Sequence, residues 1–171
     1  MRRTRPFVPL GGSIGVIMGD VQISARAEYA VRALLALAAN EPETLTAQAL
    51  ADRQGLPRKF LEAILSELRR AGLVRSQRSA EGGYRLSRPA SEIWVGDVLR
   101  AVDGPLAAVR GGRPEAATYL GAAEHLQTVW VAVRAAVRSV LDEVSLDDVL
   151  RGEFPPHVNE LVKPPGAWTP R

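Results

Sequence analysis

Between Leu45 and Arg88 the chain changes periodicity twice without a break, from helix to helix to paired strands, and few folds accommodate that order. In LTAQALADRQG the Thr46 hydroxyl is suited to cap free backbone N–H groups at a helix start, and Leu50 with small Ala49 and Ala51 forms the inner side. Gly55 falls where that helix has to end, a position favouring the left-handed backbone that glycine adopts without steric cost. Pro57 suits the first turn of the next helix, because its missing N–H would have had no partner there. Leu61, Ile64, Leu65 and Leu68 then recur at helical spacing and make one apolar stripe. Beyond Gly72 the pattern becomes LVRSQR, SAEGG and YRLSR, two short strands joined by a glycine-bearing turn. A helix, a turn, a second helix and a hairpin make a winged helix-turn-helix. The sequence therefore predicts a mainly α fold with a small β-hairpin wing.

Charge singles out the same block. Arg53 to Arg88 holds nine Lys or Arg against three Glu, a net +6, whereas the whole chain is only +3. Residues 1–52 carry five basic and five acidic groups, and residues 89–171 eight basic and eleven acidic. The positive field thus sits on the two elements that would touch duplex DNA, where neutralising phosphates supplies affinity. Thr46, Arg58, Arg75 and Tyr84 are expected to contact DNA from these elements. Lys59, near the positive end of the second helix dipole, can reach a phosphate or a guanine edge. Glu62 has two readings: it accepts from cytosine N4, or it pairs with a neighbouring arginine. Phe60 is similarly divided between a thymine methyl and packing under the wing.

A second signal lies further on. Leu126, Trp130, Val133, Val137, Val140 and Val144 recur at steps of four and three, the seam of a paired helix, with Val129 and Leu141 widening the stripe. A helix of about 24 residues would run for about 36 Å. A winged domain needs no such appendage for its own core, so the stripe predicts a dimerisation helix. The glycines of LGGSIG and the Gly82-Gly83 pair lack the strand, helix, Lys and Ser or Thr of a nucleotide cradle, and predict no nucleotide site.

Taken together, ISARAEYAVRALLALAA (Ile23 to Ala39), RQGLPRKFLEAILSELRRAGLVRS (Arg53 to Ser76), GGYRLSRP (Gly82 to Pro89) and VGDVLRAVDGPL (Val95 to Leu106) resemble the IscR/NsrR/CymR-type transcription regulators. The resemblance runs from about Val21 to Leu161. It implies a dimeric winged-helix protein on a palindromic operator, usually repressing transcription, with the long helix crossing its twin and packing on the partner's first helix. It places Pro57, Lys59, Phe60 and Glu62 on the part of the recognition helix that faces the major groove, and matches Arg78 to a wing arginine that enters the minor groove. Cluster-binding members hold iron and sulfur through three cysteines in the loop after the segment matching AVDGPL. Here that stretch, Ala107 to Leu120, reads AAVRGGRPEAATYL, and the chain has no cysteine at all. Such clusters are held chiefly by thiolates, so no cluster and no other cofactor is expected. Glu28, which matches a first-helix glutamate used as a ligand by rare members, is read as structural.

The expected organisation is an unstructured extension over 1–17, with a family-like start near Met18, a winged domain over 18–103, and a loop over 104–121. The dimerisation helix and a short helix capped by Ser145 come next over 122–150, and a tail over 151–171 ends in an unstructured KPPGAWTPR. MRRTR resembles the charged start of a signal peptide, but proline and glycine interrupt the apolar stretch VPLGGSIGVIM behind it. No stretch approaches eighteen apolar residues, so no membrane span is expected. The absence of cysteine excludes disulfides and fits the cytoplasm. His125 and His157 each lack a second ligand nearby, so no metal site is predicted. No nucleophile, base and orienting group form a set, so an enzyme is not expected. Arg110 and Arg113 suit either an unknown anionic small-molecule effector or a solvated loop. The sequence thus predicts a sequence-specific homodimeric DNA-binding regulator, acting as a repressor. The alternative is a winged-helix module whose helix and wing meet protein or RNA.

Overall fold

The computed structural model describes residues 23–77 and 82–170. Arg78 and the expected extension over 1–17 lie outside the described residues. Helix α1 (Ala25–Ala38) opens at Ser24, whose hydroxyl accepts from the Ala27 N–H at 2.9 Å. Ala27, Ala30 and Ala33 are fully buried along it beside Leu34 and Leu37. Those small side chains let four other helices and a strand approach, which makes α1 the centre of the domain.

Helix α2 (Ala47–Gln54) starts where the sequence predicts, with Thr46 Oγ1 accepting from the Ala49 N–H at 3.1 Å. It ends on Gly55 at φ 65°, in the left-handed region. Helix α3 (Arg58–Arg70) comes next, and Pro57 stands one residue ahead of its first turn. Leu61, Ile64, Leu65 and Leu68 are all fully buried, so the predicted stripe is the face that packs on α1 and α2.

Strands β1 (Val74–Gln77) and β2 (Gly83–Leu86) pair antiparallel, from Val74 opposite Leu86 to Gln77 opposite Gly83. The wing is also pinned from its other edge, which the sequence reading missed. Leu45 and Tyr84 exchange backbone hydrogen bonds of 3.1 and 2.8 Å, tying β2 to the entry of α2. Gly83 permits that approach, since a Cβ there would stand 2.6 Å from Thr44 Oγ1.

After a 3₁₀ turn at Ala90–Glu92, helix α4 (Val95–Asp103) buries Val98 and Leu99 against the domain. Helix α5 (Leu126–Leu141) has 16 residues, about 24 Å, against the 24 residues expected. It stops at Asp142, whose carboxylate accepts from Arg138 Nε at 3.0 Å and pairs with Arg100 of α4. Val144, expected as the last seam residue, has left the helix and is buried in its own domain. There the Val95 N–H donates to the Val144 carbonyl and the Leu146 N–H to that of Ile93, each at 2.9 Å. Apolar spacing alone carried the predicted seam past the ion pairs that end the helix.

Helix α6 (Leu146–Arg151) begins with the predicted Ser145 cap. The Ser145 hydroxyl accepts from the Asp148 N–H at 3.1 Å, and the Asp148 carboxylate accepts from the Ser145 N–H at 2.8 Å. Leu146 is fully buried in the winged domain's core, so the segment after α5 returns to that core. The tail also departs from expectation, because it contains helix α7 (Pro156–Val162) and a 3₁₀ turn at Pro165–Ala167. Proline in a first turn starts a helix instead of breaking it. His157 Nε2 lies 2.7 Å from the Ser139 carbonyl oxygen and ties α7 to α5, while the Trp168 indole N–H donates to the Val162 carbonyl at 2.7 Å.

Candidate nucleic-acid interface

The buried stripe of α3 fixes which of its residues face outward, and its first turn faces outward almost completely. Pro57, Arg58, Lys59 and Phe60 are all exposed. No acidic residue lies in that turn and no side chain caps it, so the helix's positive end is unopposed there. Between α3, the start of α2 and the wing lies an open groove of about 480 Å³, lined by Thr46, Gln48, Arg58, Glu62, Ser76, Gln77 and Tyr84.

Of the residues expected to contact DNA, the groove gathers Thr46, Arg58, Glu62 and Tyr84. Lys59 stands in the same first turn but outside the lining, and Arg75 is exposed on β1 directly opposite Arg85. Glu62 resolves toward its second reading: its Oε1 accepts from Arg58 Nε at 2.7 Å. Phe60, 41% exposed, has a partner that neither reading named. It turns toward α1, where its ring meets Tyr29 edge-on. Gln48, Ser76 and Gln77 were missed, because neutral polar residues carry no periodic or charge signal. Glu28, read as structural, faces Arg32 one turn along α1 at 3.5 Å.

The residues expected to form a dimer surface lie on α5, and no residue of that helix is buried. Leu126, Trp130, Val133, Val137 and Val140 are each partly exposed, and Val129 is 51% exposed. The loop before α5 is fastened to it through Glu115. The Glu115 carboxylate pairs with Arg134, and its carbonyl accepts from Gln127 Nε2 at 2.8 Å. A hydrogen bond from its own backbone and another from Arg134 hold the Glu115 carboxyl below the ordinary range. Arg110 and Arg113 help line a recess of about 280 Å³ with Thr118 and Tyr119.

Known proteins share this geometry. The Rrf2 family, described as iron-dependent transcriptional regulators, matches residues 23–152. A Mycobacterium tuberculosis (strain H37Rv) protein, Rv1287, whose name assigns it as an HTH-type transcriptional regulator, is 49% identical over 82% of this chain and 88% of its own length. The solved structure of CymR, the global cysteine regulator of Bacillus subtilis, has 32% identity and a TM-score of 0.65, covering 77% of this chain and 97% of that one. IscR of T. potens gives 32% identity and a TM-score of 0.63, over 79% and 89%. Like these proteins the chain is a winged-helix, mainly helical molecule.

The donors present do not fit an iron–sulfur cluster. The loop has no thiolate, and among the described residues no group of three His, Cys, Asp or Glu could hold a metal ion. The His125 side chain is 91% exposed beside Glu124, and His157 is engaged with the Ser139 carbonyl. Among the described residues no helix is long and apolar enough to cross a membrane.

Proposed function

The chain belongs to the Rrf2 family of transcription regulators, and on that premise we propose that it works as a homodimer that represses transcription from a palindromic operator. Members of the family regulate transcription and are not enzymes, and this chain shares their DNA-binding fold.

The incompletely covered apolar stripe of α5 carries the dimer reading. None of the helix's sixteen residues is fully covered within its own chain, and Trp130, Val133 and Val137 stay partly exposed on one stripe, a surface that a second copy would cover. A twofold axis through two α5 helices turns one DNA-reading surface into two, related as the half-sites of an inverted repeat, near 34 Å or a multiple of it apart. Thr46, Pro57, Arg58, Lys59, Phe60, Arg75, Arg78 and Tyr84 are the proposed contact set, with Glu62 beside them in the groove, paired to Arg58. The protein works where its operator is, in the cytoplasm. Without cysteines it takes its signal in another form, and a small anion at Arg110 and Arg113 is the input the loop best suits. Through Glu115, Arg134 and Gln127, a ligand there would bias how the two α5 helices cross and so the half-site spacing.

Footprinting on the DNA upstream of the protein's own coding region tests the proposal. Two protected half-sites of an inverted repeat are expected, and protection of a single asymmetric site would overturn the palindrome.

A further inference from the structure

The Arg58–Glu62 pair is arranged against the interest of its own helix. Along a helix surface, an acid one turn before a base is the stabilising order, because it complements the helix dipole. Here the base comes first. Arg58 opens α3 where the dipole is positive, and Glu62 lies four residues later. Both line the groove that faces away from the core, with side chains 60% and 40% exposed.

The bond between them uses a particular atom. Arg58 donates through Nε, at 2.7 Å, to one oxygen of Glu62. Among the described residues neither Nη nitrogen has a hydrogen-bond partner, so the outer end of the fork stays free. A guanidinium held by Nε presents its two Nη groups in the plane and spacing that guanine offers through O6 and N7. The carboxylate also cancels the arginine's charge, so the pair adds little to general attraction for phosphates.

We propose that Arg58 is the guanine-reading residue of each half-site and that Glu62 is its positioning residue, holding the guanidinium ready instead of reading a base of its own. This rests on the operator reading above and deepens it.

Selection of bound sequences from a pool of randomised duplexes, with the full-length chain and its variants, tests the inference. Wild type is expected to enrich a guanine at one position per half-site, by about tenfold to a hundredfold over the other bases. Arg58→Lys keeps the charge but has no fork, and should erase the preference at that position alone. Glu62→Ala should erase the same position and no other, while binding random duplex more tightly because an anion has left the groove. Both residues are exposed, so both variants should melt as wild type does. Loss of preference at a different position in Glu62→Ala would show that the carboxylate reads its own base, and would overturn the inference. Unchanged preferences in Arg58→Lys would overturn it as well. Failure of wild type to enrich any sequence would instead remove the operator reading, and this inference with it.

Discussion

The ring of Phe60 meets the ring of Tyr29 edge-on, with centroids 6.0 Å apart and planes at 88°. Phe60 lies in the first turn of α3 and Tyr29 on α1, so this contact braces the proposed DNA-reading helix against the centre of the domain. The Arg32 guanidinium lies 5.7 Å over the same Tyr29 ring and extends the stack.

Removing that brace should cost stability and binding together. Edge-on aromatic pairs contribute about 0.5–1.5 kcal/mol beyond the area they bury, and Phe60 is 41% exposed. Phe60→Ala is therefore expected to lower unfolding free energy by about 1 kcal/mol in urea titrations. It should also weaken operator binding several-fold, measured by fluorescence anisotropy. A thymine-contacting role alone would leave the urea midpoint where it is.

The junction at the end of α5 should respond to acid. Burial pushes the Asp142 carboxyl up, but hydrogen bonds from Arg100 and Arg138 more than offset it, and the net shift is downward. Hydrogen bonds from the Ser145 hydroxyl and backbone likewise hold Asp148 low. A carboxyl held below its unfolded value stabilises the fold fully above the unfolded pKa, near 4, and loses that contribution as pH falls through the folded value. Asp142→Asn should therefore be less stable than wild type at pH 7, by about 1 kcal/mol, with the gap closing as pH falls below about 4. A gap constant with pH would mean that the charge on Asp142 contributes nothing.

These features differ in how far the sequence announces them. Thr46, Gly55, Ser145 and the Leu61–Leu68 stripe were legible because each obeys a local rule of capping or periodicity. The end of α5 was not, since it is set by Arg100, 42 residues away from Asp142. The Tyr29 partner of Phe60 was hidden for the same reason, since it lies on α1, distant in sequence. The Leu45–Tyr84 bridge depends on a close approach at Gly83 that the sequence shows only as a turn glycine. At the site, the charged members were visible in the sequence, whereas the neutral groove residues Gln48, Ser76 and Gln77 emerged only once α2, α3 and the wing were assembled.

The partly exposed stripe on α5 gives the next prediction. A carboxylate at Trp130 or Val137 would be buried without a partner in a dimer but would meet water in a monomer. Trp130→Asp and Val137→Asp should sediment as monomers that keep the helical content of wild type, and should lose operator binding. A dimer that survives both changes would place the interface elsewhere.

The basic recognition helix and wing are proposed to read duplex DNA by sequence. The most direct test is the salt dependence of binding to a duplex carrying the selected site and to a scrambled duplex of equal length. The selected site is expected to bind at least about a thousandfold more tightly at physiological salt. Affinity for both duplexes should fall steeply as salt rises, because phosphate contacts release counterions. Equal affinity for the two duplexes, or affinity indifferent to salt, would contradict that reading.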